Sequence, residues 1–258
     1  MARAGELVHI RVTWYGHATT VVDDVARVMT DPVLTGSLVH LRRRAGLSPR
    51  ELHSPIDAVL VSHLHADHLH LPSLALLPAG TPVLLPRGAA RLLRRLAVRP
   101  VEVSAGDVVP VGGAEVLVVR AVHDATRWPG GRVRGEAVGY VLSGRGATYF
   151  AGDTVAFPEM AHLHPSLDVA LLPVGGWGPW LRGSHLTPAT AAGCLPLLNP
   201  RVCVPIHYGT FWPRGMTRVR PRVFHPPGEE FAGHAHQVAP GVDVRVLPPG
   251  TSTVIRWR

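Results

Sequence analysis

The chain contains no lysine, so arginine supplies all 26 of its basic residues. Against 18 acidic residues they leave a formal net charge of +8. That balance favours anionic partners and steers anionic ligands, but it says nothing about fold. GC-rich coding also replaces lysine by arginine, so composition alone does not select nucleic acid as the partner. Cysteine is nearly absent: Cys194 and Cys203 are the whole complement. Two cysteines exclude a disulfide framework and make a reducing cytoplasm the expected compartment. The chain is 46% hydrophobic, yet no apolar run approaches the ~18 residues of a membrane span. Met1 to Glu6 lack the apolar stretch of a secretory leader. No fixed-period repeat and no low-complexity linker divides the sequence. One domain over residues 1–258, with a substantial core, is therefore expected.

What the chain does hold is histidine, 16 in all, unevenly placed. His63, His65, His68 and His70 share one window with Asp67, directly after the apolar run from Ile56 to Val61. An apolar run of this length reads as a buried strand. The polar cluster then lies where strand gives way to loop, a common place to build a site. Imidazoles and a carboxylate in the order His-x-His-x-Asp-His can converge on a metal ion, and that donor mixture suits zinc. A solvated histidine-rich turn explains neither the order nor the strand in front of it.

Strand signals recur along the chain. Val8–Trp14 alternates, and Thr19–Val22 with Ala26–Thr30 reads as a hairpin across Asp23 and Asp24. Further strands are expected at Ile56–Ser62, Pro82–Leu85, Val101–Val103, Val108–Val111, Glu115–Val122, Ala137–Leu142 and Thr148–Ala151. Leu167–Leu172, Val202–Ile206, Val242–Leu247 and Thr253–Trp257 complete the series. Gly88–Val98 carries helical spacing of alanine and leucine with arginines between. A second helix should begin at Pro188, with Thr187 as its N-cap. This order fits a layered α/β domain, and 25 prolines with 27 glycines imply many loops.

The segment His63-x-His65-x-Asp67-His68 resembles the defining motif of the metallo-β-lactamase superfamily. Trp14–Thr19, Thr30–Pro32, Pro173–Gly176 and Pro205–Gly209 are similar to blocks of one branch. That branch holds the ascorbate-6-phosphate lactonases and the N-acyl-phosphatidylethanolamine phospholipase D enzymes. The likeness implies an αββα sandwich, two mixed sheets flanked by helices, with a metal centre at one sheet edge and hydrolysis as its chemistry. Carried over by motif, His63, His65 and His123 hold one metal. Asp67, His68 and His207 hold the other, Asp153 bridges them, and Asp67 also orients the attacking water. Di-iron relatives usually place a carboxylate where this chain has His65. Two Zn2+ per chain are therefore expected, with Mn2+ or Fe2+ left open. His185 aligns with a histidine by the active site of that branch and is expected to bind a substrate oxyanion or act as acid; a capping or loop role is the alternative. His17 is expected to brace the first hairpin outside the ligand set, and Asp31 to fix a ligand tautomer. His70, His162, His164, His225, His234 and His236 read as surface residues.

Two loops bear on the substrate, one after His123 and one after His207, and both mix arginine with tryptophan. Arginine forks match phosphate or carboxylate oxygens, and indoles give an apolar wall. Arg132, Arg134, Trp177 and Tyr208 are the candidate substrate contacts. The favoured function is zinc-dependent hydrolysis of a small anionic phosphodiester, lactone or ester by a metal-bound hydroxide. A nuclease or nucleic-acid-binding role is the first alternative, set back because no clamp domain or long basic helix accompanies the arginines. A non-catalytic metal scaffold is the second, set back because every expected ligand is present. β-Lactam hydrolysis is disfavoured by the hairpin signature, and a membrane phospholipid substrate by the lack of an amphipathic anchoring helix; no membrane insertion is expected. Oligomeric state is open.

Overall fold

The computed structural model describes residues 8–44, 55–128, 131–176, 185–213 and 227–257. Two seven-stranded sheets form its frame. In the first, β1 (Val8–Gly16), β2 (Thr19–Asp23) and β3 (Arg27–Thr30) form an antiparallel meander. The chain then makes a small outlying sheet from β4 (Ser37–Leu38) and β5 (Leu41–Arg43). It returns to add β6 (Ala58–Leu60), β7 (Pro82–Pro86) and β8 (Arg99–Val103) in parallel beyond β3. The second sheet starts as an antiparallel meander of β9 (Val108–Val111), β10 (Ala114–Arg120), β11 (Val138–Ser143) and β12 (Ala147–Phe150). Parallel strands β13 (Val169–Pro173) and β14 (Val202–Ile206) follow. Then β15 (Phe211–Trp212) joins the outlying sheet on β5, β16 (Asp243–Val244) edges β14, and β17 (Thr251–Trp257) closes the first sheet on β1.

Burial alternates with the strand period, as a pleated strand requires. In the first sheet Val28, Ala58 and Leu60 enter the main core between the sheets, while Met29, Val59 and Val61 enter a second cluster on the outer face. A sheet covered on both faces needs apolar residues at successive positions, which is why Ile56 to Val61 is a run and not an alternation. The outer cover is slight: helix α1 (Leu71–Leu74) and a 3-10 turn at Ala90–Leu93. The helix expected over Gly88–Val98 is therefore only that turn. Its N-cap Ala89 makes no side-chain cap, and Arg91, Arg94 and Arg95 set like charges three and four residues apart.

The second sheet is covered by α2 (Pro188–Leu198) and α3 (Pro227–Val238). Thr187 caps α2 as expected, forming a reciprocal capping box with Thr190. Helix α3 was not anticipated, because Gly228 and Gly233 lower its helical propensity. Phe231 and Ala235, four residues apart, bury in the main core and supply the tertiary packing that holds it. These layers are the mixed two-sheet αββα sandwich, with few helices. No helix among the described residues is long and apolar enough to cross a membrane, and both cysteines are free and buried.

Candidate metal centre

Four strands deliver polar side chains to one place just past their C-terminal ends. Ser62 to His70 follow β6, His123 follows β10, Asp153 follows β12 and His207 follows β14. The turn between β1 and β2 adds His17. Tight chain reversals are needed there, and the backbone records them: His17, Asp31 and His207 have φ of 53, 32 and 66°. Left-handed backbone at non-glycine residues clusters at functional sites because the surroundings must hold it. Gly152, at φ +61°, lets the chain pass Ser62, where an added Cβ would lie 2.5 Å from that serine's Cβ.

The nitrogens gather in two groups. His63 Nε2 lies 2.9 Å from His65 Nδ1, which lies 3.3 Å from His123 Nε2. His68 Nε2 lies 3.1 Å from His207 Nε2 and 3.3 Å from Asp67 Oδ2. Asp153 stands between the groups, with Oδ2 3.3 Å from His68 and 4.0 Å from His123, and Oδ1 3.3 Å from His207. Asp153 Oδ1 is buried and accepts no hydrogen bond among the described residues. Tetrahedral zinc with bonds near 2.0–2.1 Å spaces its donors by ~3.3 Å, so the separations suit the donor set.

Hydrogen-bond directions make the case for a cation stronger than distance does. Asp31 accepts from Ser62 N at 2.7 Å, from Ser62 Oγ at 2.6 Å and from His68 Nδ1 at 2.6 Å. His68 therefore carries its hydrogen on Nδ1, leaving a lone pair on Nε2. Ser62 Oγ has spent its hydrogen on Asp31, so it accepts from His63 Nδ1 at 3.0 Å, and His63 Nε2 is likewise a bare acceptor. His207 Nδ1 donates to the Gly175 carbonyl at 3.2 Å, which leaves Nε2 free in the same way. Lone pairs and carboxylate oxygens thus face one another inside a buried site. Only a cation reconciles them, a metal ion or a proton.

Electrostatics agree. Burial alone would lower the pKa of His68, but Asp153, Asp67 and Asp31 outweigh it and hold the imidazole well above its ordinary value. For Asp67 and Asp153 burial pushes upward, yet the facing histidines win and hold both carboxyls well below the usual range. A field that retains a proton on His68 equally favours a metal cation there. His17 differs: burial first, then His207, lowers its pKa to about 3. It is a neutral imidazole whose Nε2 sits 2.9 Å from Asp67 Oδ2, where it donates. His185, half-buried ahead of α2, places Nε2 3.1 Å from Asp153 Oδ2. Burial works against its charge, but the bond to Asp153 prevails and raises its pKa.

The structure thus brings together His63, His65, Asp67, His68, His123, Asp153 and His207, with His185 at the rim. Tyr208 is not among them. Its ring packs on Trp14 at 4.9 Å within the main core and is only 7% exposed. Arg132 and Arg134 are exposed on the segment leading into β11, flanking Val133, which packs in the outer cluster with Leu64. Trp177 lies outside the described residues. His70 is buried, not superficial, because its Nδ1 bonds Ser73 Oγ at 2.7 Å. Two contributors escaped the sequence reading. Ser62 looked like strand filler, although it immediately precedes the motif. Arg127 was grouped with the substrate loop but turns inward, donating from Nη1 to the carbonyls of Leu64 and Leu69, each at 2.7 Å.

Comparison with known proteins agrees with this geometry. A family model described as the beta-lactamase superfamily domain matches residues 26–208. A metal-dependent hydrolase of Methanopyrus kandleri is 33% identical over 252 residues, 94% of this chain and 99% of its own. One from Thermus thermophilus is 32% identical over 246 residues, covering 93% and 97%. Among solved structures, Igni18, a metallo hydrolase from the archaeon Ignicoccus hospitalis, aligns with a TM-score of 0.72 at 24% identity, over 97% of this chain and 100% of that one. An isothiocyanate hydrolase from Delia radicum gut bacteria aligns at 0.69 and 21% identity, over 94% and 98%. These last two are likenesses of fold.

Proposed function

Because the chain belongs to the metallo-β-lactamase superfamily, we propose that this metal-dependent hydrolase holds two zinc ions and cleaves a small anionic phosphodiester, lactone or ester. The observation that carries the reading is the pair of imidazole nitrogens His68 Nε2 and His207 Nε2, 3.1 Å apart beside the Asp67 and Asp153 carboxylates with both Nδ1 atoms committed elsewhere, an arrangement that requires a cation, proton or metal. His63, His65 and His123 would hold one ion and Asp67, His68 and His207 the other, with Asp153 standing between the two groups. Zinc bound there supplies Lewis acidity and a water acidic enough to ionise near neutral pH.

The chain's own groups do the rest. His17 holds Asp67 Oδ2 in place through the 2.9 Å bond, which fixes the carboxylate that would orient water. His185 keeps a proton at Nε2 through Asp153 and is placed at the rim to pass it to a departing oxygen. Arg132 and Arg134, exposed near the motif, draw anionic substrates toward the centre. With its two cysteines reduced, the protein suits the cytoplasm. The test is elemental analysis of the purified protein, followed by assays on bis-p-nitrophenyl phosphate, simple lactones and p-nitrophenyl acetate. Turnover of at least one, abolished by chelation and restored by zinc, is expected. Tightly bound metal with no turnover across the panel would instead mark a scaffold.

A further inference from the structure

We infer that Arg127 is a positioning residue for the metal centre, a guanidinium clamp that locks the loop of His65 to the loop of His123. It rests on the reading that these histidines hold a metal ion. The turn from His65 to Leu69 is closed by His68 N and Leu69 N, which both donate to the His65 carbonyl, at 3.1 and 2.9 Å. Such a turn crowds carbonyl oxygens on one side, next to the Asp67 carboxylate. Arg127 Nη1 sits among them, 2.7 Å from Leu64 O, 2.7 Å from Leu69 O and 3.3 Å from His65 O. One nitrogen with two hydrogens thus serves three acceptors, the longest as a shared contact. No neutral side chain offers both the donors and the charge to offset that cluster.

Arg127 lies four residues after His123, and its own backbone is fixed by Arg127 N donating to Val133 O at 2.9 Å. Its guanidinium also lies 5.6 Å from the centre of the Trp128 ring, which flanks the clamp. The clamp therefore ties together the two segments that carry His65 Nδ1 and His123 Nε2, the 3.3 Å pair of the first ligand group. The second group has its own supports, Asp31 behind His68 and Gly175 behind His207. Loss of Arg127 should therefore loosen the ion at His65 and His123 more than the other, whose ligands His68 and His207 keep those supports.

The experiment compares zinc-loaded wild type, Arg127→Ala and Arg127→Lys by elemental analysis and by zinc transfer to a colorimetric chelator. Wild type should release two ions in two separable phases. In Arg127→Ala one of the two phases should shift by about 10–100-fold in affinity, the usual effect of removing an outer support, while the other phase shifts clearly less. Arg127→Lys, which keeps the charge and the donors, should fall between, and it carries the test if the alanine variant does not fold. Two ions held by Arg127→Ala as tightly as by wild type would overturn the clamp alone. Equal weakening of both ions would overturn it too, as a general loosening of the fold. A wild type that binds no zinc would overturn the metal-centre reading beneath it.

Discussion

Asp31 reaches both histidine groups without belonging to either. It accepts from His68 Nδ1 directly and, by holding Ser62 Oγ, fixes the acceptor that receives His63 Nδ1. Asp31→Ala should therefore weaken zinc binding at both groups by about 10–100-fold, measured by chelator competition, in a protein whose far-ultraviolet circular dichroism is unchanged. Wild-type affinity in that variant would remove the tautomer argument. At this scale the members of the histidine–carboxylate cluster were legible, because donor type, order and the preceding apolar runs are all written in the chain. Ser62 and Arg127 were not, since their roles are hydrogen bonds made across folded segments: Arg127 is 63 positions from Leu64. Tyr208 shows how neighbours in sequence can face different surroundings. It adjoins His207 in sequence, but the side chains diverge, one to the ligand group and one to Trp14.

Strands and their end turns place the clustered histidines and carboxylates, so errors in an end turn should be felt there. Gly152 sits between β12 and Asp153 at φ +61°, against Ser62. Gly152→Ala should cost about 1–3 kcal/mol through backbone strain alone, lowering the melting temperature by several degrees, and should weaken zinc binding because Ser62 must move. A variant with wild-type melting and zinc affinity would mean the turn yields freely. Strand existence was legible from apolar runs and alternation, and the α2 start from Thr187 and Pro188. Helix α3 was not, because Phe231 and Ala235 hold it by packing against strands distant in sequence. The arginine-rich stretch misled in the other direction: its spacing is helical, but its like charges and missing cap allow only one turn.

Across the whole molecule, the pairing of strands into two sheets came from the family likeness, since no local signal says that β17 returns to pair with β1. What the sandwich contributes is a fixed edge at which segments from both sheets meet. Side chains drawn from positions 63 to 207 would be cross-linked by a metal that binds the folded chain and not the unfolded one. That linkage should stabilise the fold by about 2.7 kcal/mol at free zinc one hundred times the dissociation constant. Stripping the protein with a chelator should accordingly lower its melting temperature, and added zinc should restore it; an unchanged melt would place the metal outside the folded core.

The most direct test of the account is diffraction from zinc-loaded crystals measured on both sides of the zinc absorption edge. Two anomalous peaks per chain are predicted, about 3.5–4 Å apart, one among His63, His65 and His123 and one among Asp67, His68 and His207. A single peak elsewhere, or none among these side chains, would contradict it.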